Sequence, residues 1–296
     1  MNNSKTARVL SIQSHVVYGY VGNKSATFPL QLLGFEVDAI NSVQLSNHTG
    51  YKVFKGQVLN DQDLDQLIDG LTENDLNEYT HLLTGYVGSS SFLKKIVQVI
   101  KALKIKNPDL IYVCDPVMGD DGKLYVPEEL KDIYKNEIVP LADIITPNQF
   151  ELELLTGLSV KSMSDLKKAV EYLHGKGPKT VAVSSLLVDD KLISVTSSIK
   201  DNRLLKITIP RIPAIYTGSG DLFAALLLAH TFLEKDLKVA LEKTINTLFE
   251  VLQRTYDHSL SLRGKEMQQS QKIELQLIQS KRCIENPKIQ LKAEIF

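Results

Sequence analysis

Six short apolar runs, each followed by a longer amphipathic stretch, constrain this chain more than any other feature. They are RVLSI (8–12), EVDAINSV (36–43), THLLTG (80–85), LIYVCD (110–115), ADIIT (142–146) and TVAVSS (180–185). Helical patterns lie near 24–33, 63–70, 90–105, 127–135, 149–156 and 164–174. Strand then helix, repeated, predicts an α/β fold with a mostly parallel central sheet and helices on both faces. The runs near 110, 142 and 180 are nearly all apolar, as strands buried on both faces must be. A length of 296 residues with 43% hydrophobic content suffices for a large core. No internal repeat, low-complexity tract or linker interrupts the pattern, so residues 1–296 read as one domain.

Several function classes drop out on composition. The net charge is −1 with both signs interspersed, unlike the basic footprint of a nucleic-acid binder. The first residues, MNNSKTARVLSIQS, hold no apolar stretch of signal-peptide length. The longest apolar run, Leu222 to Ala229, is too short to cross a bilayer. Cys114 and Cys283 stand far apart and suggest neither a disulfide framework nor a zinc site. The expectation is a cytoplasmic protein whose partner is a small molecule, with no nucleic acid and no membrane.

Where a parallel sheet ends, ligands bind, because the carboxyl ends of the strands open into the crevice. Several runs end there in polar or small residues: Ser14, Thr84–Gly85, Asp115, Thr146 and Ser184–Ser185. Two segments, HVVYGYVGN (15–23) and SNHTGYKVFKGQV (46–58), are rich in Tyr, Val and Gly and read as a loop or small hairpin covering a pocket. After them come two helices, 221–233 and 236–255. KIELQLI (272–278) and KIQLKAEIF (288–296) alternate like strands and are expected to close one sheet edge.

Three motifs can carry chemistry. In TGSGD, Gly218, Ser219 and Gly220 can turn sharply and present backbone N–H groups at a helix mouth, an anion site. Asp221 then stands beside any phosphate bound there. The plainer alternative is that Asp221 or Ser219 only caps the helix; read alone, the motif favours that alternative. In CDPVMGDDG (114–122), Asp115 ends a buried strand, and Asp120 and Asp121 follow in a loop. Carboxylates near phosphates hold cations; the plainer alternative is a pair of turns. In ADIITPNQFELELLTG (142–157), Pro147 fits a helix start. Asn148 and Glu151 lie one turn apart, either to serve a phosphate or metal-bound water or to form a capping pair. At the front, Ser14, His48 and Thr49 are placed to hydrogen-bond a small polar ring, and Tyr18, Tyr20, Tyr51 and Tyr86 to stack on it.

Taken in order, LSIQSHVVYGYVGN, NSVQLSNHTGY, LLTGY, YVCDPVMGD, ADIITPNQFELELLTG and GSGDLFAALLLA resemble pyridoxal kinases of the eukaryotic type, within the ribokinase-like superfamily. The resemblance runs from about Arg8 into the tail. It implies a ribokinase-like three-layer sandwich with a small lid and ATP-dependent phosphorylation of the 5′-hydroxymethyl group of pyridoxal, pyridoxine or pyridoxamine. It further implies that Asp221 is the base and that Gly218, Ser219 and Gly220 hold the transferring group. Ser14, Thr49 and Tyr86 would hold the pyridine ring, with Val21, Val43 and His48 lining the pocket. Asp120, Asn148, Glu151, Ser184 and Ser185 would serve the ATP phosphates and Mg²⁺. Asp115 and Thr146 would help coordinate K⁺ or Na⁺, Tyr125 would approach the nucleotide from a flap, and Ile212, Pro213 and Ala214 would lie near adenine. A homodimer is implied as well. Ser219 stands where such kinases usually carry threonine and keeps the hydroxyl; residues 186–203 are shorter than in some relatives. At the helix mouth, the dipole is expected to lower the Asp221 pKa.

Rival readings are a related kinase for a hydroxymethyl pyrimidine, nucleoside or sugar, and a nucleotide-retaining scaffold without catalysis. The front segment favours a flat aromatic acceptor, and the scaffold reading would require losing Asp221. A dinucleotide-dependent oxidoreductase is disfavoured, because no Gly-x-Gly-x-x-Gly follows the first run.

Overall fold

Strand β1 (Arg8–Val16) leads through a first lid loop into helix α1 (Asn23–Leu32). Next come β2 (Glu36–Leu45), β3 (Gly56–Val58), α2 (Asp61–Glu73), β4 (His81–Thr84), α3 (Ser90–Lys106) and β5 (Ile111–Cys114). A flap of β6 (Gly119–Asp120) and β7 (Lys123–Leu124) precedes α4 (Glu129–Ile133), β8 (Ile144–Ile145), α5 (Gln149–Thr156) and α6 (Met163–His174). The last part holds β9 (Thr180–Val188), β10 (Lys191–Ser198), β11 (Arg203–Thr208), α7 (Ser219–Leu233) and α8 (Leu237–Ser261). Helices α9 (Gln269–Lys272) and α10 (Lys281–Glu285) and strand β12 (Glu294–Ile295) complete the chain. This computed structural model describes residues 7–296.

Local chemistry sets many of these boundaries. Asn60 caps α2 with a reciprocal bond from Asp63, Ser162 caps α6, and Gly157 ends α5 in the left-handed region. The flap turns through Asp121 and Gly122, both at positive φ, as a two-residue hairpin needs.

Ten strands form one sheet in the order β12-β11-β10-β9-β8-β5-β4-β1-β2-β3. The six from β9 to β2 run parallel; β3 on one side and β10, β11 and β12 on the other are antiparallel additions. Alternate residues feed opposite faces. Leu10, Ile12, Leu82, Tyr112, Cys114, Val181 and Val183 join one core with residues of α2 to α6. Val9, Leu83, Val113 and Ala182 join the other, against α1, α7 and α8. Burial on both faces is why these strands are apolar throughout and had to be central. All six expected strands and all six expected early helices form.

Two expectations fail. Residues 272–278 are not a strand: α9 ends at Lys272, and an irregular stretch leads to a 3₁₀ turn at Ile278–Ser280. Leu275 and Leu277 alternate because they pack against Leu222, Leu226 and Val251, beneath α7 and α8, with no strand alongside to pair with. Of 288–296, only Glu294–Ile295 joins the sheet, on Leu205 and Lys206 of β11. In addition, residues 186–208 build most of the antiparallel extension. Polar Ser194 and Thr196 lie buried there, which hides the strand from a hydropathy reading.

Candidate active site

The polar residues that end the parallel strands gather at one end of the sheet. Asp115 follows β5 and is 4% exposed. Its Oδ1 accepts from the Thr146 hydroxyl at 3.1 Å, while the buried Oδ2 has no hydrogen-bond partner among the described residues. That oxygen faces α7, since a Cβ on Gly220 would stand 3.8 Å from it. A buried carboxylate oxygen left bare in protein is costly unless a cation or a proton meets it.

Glu151 takes the capping role weighed for it and a structural one besides. Asn148 is the N-cap of α5: its side chain accepts the Glu151 N–H at 2.9 Å, and Glu151 Oε2 accepts the Asn148 N–H at 3.0 Å. The capping reading is thus realised in full. Yet Glu151 Oε1 also accepts Met118 N–H at 3.0 Å and Gly119 N–H at 3.5 Å, and the Asn148 amide donates to Gly119 O at 2.8 Å. The cap therefore anchors the flap that carries Asp120 and leads into Tyr125, both exposed.

The mouth of α7 lacks the cap that the plain reading requires. Its N-cap is Gly218, with no side-chain cap bond, so the first-turn N–H groups point free into the cleft. Gly218 has φ +86°, and a Cβ there would lie 2.0 Å from Tyr20 O; only glycine lets the first lid loop approach so closely. Ser25 Oγ donates to Gly218 O at 3.1 Å. Asp221 is held by the lid, with Oδ2 accepting the Gly22 N–H at 2.8 Å. That leaves Oδ1 available to a ligand.

The electrostatics of Asp221 run against expectation. Burial pushes its carboxyl above the ordinary 3.8, and the Gly22 N–H only partly offsets this. Part of Asp221 still meets solvent, but the group lies deep at the cleft floor, and desolvation there outweighs the helix dipole, worth about 0.3–1 kcal/mol. Asp115 is raised further, first by burial, then by the charges of Glu151 and Asp221. Burial also pushes Glu151 up to about 8, against its three backbone N–H donors. The charges of Glu151 and Asp221 both bear on Asp115, and a cation beside its bare Oδ2 would relieve them.

The remaining expected residues lie on the strands and their loops. Ser14 lies near the carboxyl end of β1 and is buried, as are Val21 and Val43. Tyr86 is half-buried behind β4, and its carbonyl accepts from Ser42. His48 is buried and Thr49 exposed in the second lid loop. Ser184 and Ser185 lie half-buried on β9, and Ile212, Pro213 and Ala214 occupy the loop between β11 and α7. A cavity of about 740 Å³ lined by Arg8, Asp38 and Leu71 opens at the opposite strand ends and has no link to this site.

A family model described as phosphomethylpyrimidine kinase matches residues 33–265. Pyridoxal kinase of Arabidopsis thaliana is 54% identical over 99% of this chain and 96% of its own length, and that of Homo sapiens 48% over 98% of each. The chain belongs to the pyridoxal kinase family. It shares the ribokinase-like fold with the structure of pyridoxal kinase from Leishmania donovani in complex with ADP and pyridoxamine. That match has a TM-score of 0.90 and 34% identity over 98% of this chain and 99% of that one. Sequence reasoning missed the Gly22 amide that holds Asp221. It also missed Glu274, whose carboxylate reaches the lid from the tail. The glycine-rich run GYVG was the available signal for Gly22; the tail, read as a strand, gave none for Glu274.

Proposed function

We propose that this protein transfers the γ-phosphoryl group of ATP to the 5′-hydroxymethyl group of pyridoxal, pyridoxine or pyridoxamine. The products are pyridoxal 5′-phosphate and the corresponding B6 phosphates. One observation carries the reading: an uncapped helix mouth stands directly beside a desolvated carboxylate with one free oxygen. Such transfer asks chiefly for positioning and charge stabilisation. The N–H groups of Gly218, Ser219 and Gly220 bind the transferring group. Ser14, Val21, Val43, His48, Thr49 and Tyr86 hold the pyridine ring under the lid. Asp221 Oδ1 accepts the hydroxyl proton as the alcohol oxygen bonds to phosphorus and the bond to the departing ADP oxygen breaks. Burial makes Asp221 a stronger base than an ordinary aspartate.

Asp120, Asn148, Glu151, Ser184 and Ser185 face the nucleotide phosphates, with Tyr125 and the loop Ile212–Ala214 on the base side. Among the described residues no three His, Cys, Asp or Glu side chains converge as a ready-made cage. Mg²⁺, which often keeps waters and phosphate ligands, would meet only part of its coordination from Asp120 and Glu151. The bare Asp115 Oδ2 with Thr146 suits K⁺ or Na⁺. When bound, these ions neutralise charge on the phosphates. We further read residues 1–296 as one kinase domain acting in the cytoplasm as a homodimer. Among the described residues no helix is long and apolar enough to cross a membrane.

The test is ADP release by purified protein with ATP, Mg²⁺ and each candidate alcohol. The three B6 vitamers should turn over far faster than ribose, adenosine or hydroxymethylpyrimidine, and chelator should abolish the rate. Faster turnover of any of those rivals would overturn the substrate assignment.

A further inference from the structure

The tail drops one carboxylate into the lid. Glu274 lies between α9 and the 3₁₀ turn and is 8% exposed. Its Oε2 accepts the Tyr20 N–H at 3.1 Å, and its Oε1 accepts the Tyr51 hydroxyl at 2.8 Å. Oε1 also lies 3.3 Å from His48 Nε2. Tyr20 belongs to the first lid loop; His48 and Tyr51 belong to the second. Backbone bonds from Val17 to Leu45 and from Tyr18 to Ser46 join the roots of the loops, and Glu274 joins them farther out.

The donors are fixed by their surroundings. His48 Nδ1 accepts the Gly50 N–H at 3.1 Å, so the proton of the neutral ring sits on Nε2, 3.3 Å from Glu274 Oε1. Both ring nitrogens are engaged, which leaves His48 to shape the pocket by position. Burial and the neighbouring carboxylate hold the Tyr51 phenol protonated. Gly19, at φ +91°, makes room: a Cβ there would stand 2.3 Å from Glu274 Oε1. On the inner side, Tyr20 O lies against Gly218 and the Gly22 N–H holds Asp221. Residues 20–22 therefore run from the Glu274 tie to the proposed base.

We propose that Glu274 is a positioning residue for the alcohol acceptor, holding residues 20–22 and the 48–51 turn in the geometry that seats the ring against Asp221. This rests on the kinase reading. Among the described residues Glu274 bonds none of α5, the flap and β9, which build most of the nucleotide side, so loosening it penalises acceptor binding more than ATP binding.

The experiment is Glu274→Gln in the full chain. Glutamine has one acceptor oxygen in place of two, so either the Tyr20 N–H loses its acceptor or the Tyr51 hydroxyl must turn to accept and the His48 Nε2–H is left facing an amino group. The KM for pyridoxal should rise about tenfold while the KM for ATP stays within about twofold, since one buried donor loses its partner. Tyr51→Phe deletes a single bond and should raise the pyridoxal KM a few-fold. The double variant should be no worse than Glu274→Gln, because the two changes remove one shared contact. Amide exchange in residues 15–23 and 46–58 should quicken in Glu274→Gln. An unchanged pyridoxal KM, or equal rises in both KM values with a lower Tm, overturns the proposal. Should the wild-type protein fail to phosphorylate any vitamer, the function reading falls instead. Exchange in the two loops then decides the tie, and unchanged exchange refutes it.

Discussion

Asp221→Asn should separate turnover from stability. The amide keeps an oxygen that can accept the Gly22 N–H now bonded at 2.8 Å, so the lid contact survives. No cap is lost, because Gly218 is the N-cap and no side chain caps α7; the usual cap penalty of about 0.5–2 kcal/mol does not arise. The substitution forfeits a favourable dipole interaction of about 0.3–1 kcal/mol. It also removes a charge whose burial already outweighs that dipole, and which repels Asp115. Above the ordinary aspartate range, the variant should therefore melt no lower than the wild type. Turnover should fall by roughly 10² to 10⁴, about 2.7–5.4 kcal/mol at 1.36 per tenfold, with ATP affinity retained. Steady-state ADP release, nucleotide titration and thermal melting on one preparation read all three quantities. Near-normal turnover would refute the base role. A Tm several degrees lower together with weakened ATP binding would refute the claim that Asp221 bears no structural load.

Two further perturbations follow from the same site. Gly218→Ala forces a side chain into the left-handed region and 2.0 Å from Tyr20 O. Strain of at least about 1 kcal/mol should lower Tm by at least roughly 2 °C and kcat/KM by about 10², and a fully active, unshifted variant would contradict the packing described. In chelator, stability should fall as pH rises from 6.5 to 8: Glu151 is held at about 8 rather than 4.5, so the folded chain keeps a proton that the unfolded chain has released. His81 and His230, pushed down to about 4 by burial, make stability rise with pH only below about 6.5. Asp115, raised by the same burial, adds a slope of the same sign; melting curves across the window check it, and a slope not lessened in Glu151→Gln would refute the Glu151 share.

The central sheet was legible because strands buried on both faces must be apolar along their length. RVLSI, LIYVCD and TVAVSS announce themselves. The tail was not legible, since Leu275 and Leu277 alternate against helices as readily as they would in a ladder. The β10–β11 hairpin hid behind buried hydroxyls such as Ser194, which bonds Val183 O across the strands. At the site, the residue types and the Asn148–Glu151 pairing could be read from spacing. The sign of the Asp221 shift could not, because desolvation depends on what the chain folds around the carboxylate. Gly22 and Glu274 reach their partners across 199 and 254 positions, beyond any local pattern.

The tie between Tyr20 and Glu274 has a consequence for synthesis. Translation delivers the chain from its first residue at about 5–20 residues per second, and early segments begin to fold first. The six parallel strands and Asp115, Glu151 and Asp221 all emerge before Glu274. A nascent or prematurely terminated chain cut before that residue carries every acid of the site with its cover unfastened. The residue that latches the pocket is thus made after every strand and acid it serves, so competence to seat an acceptor waits on the synthesis of Glu274.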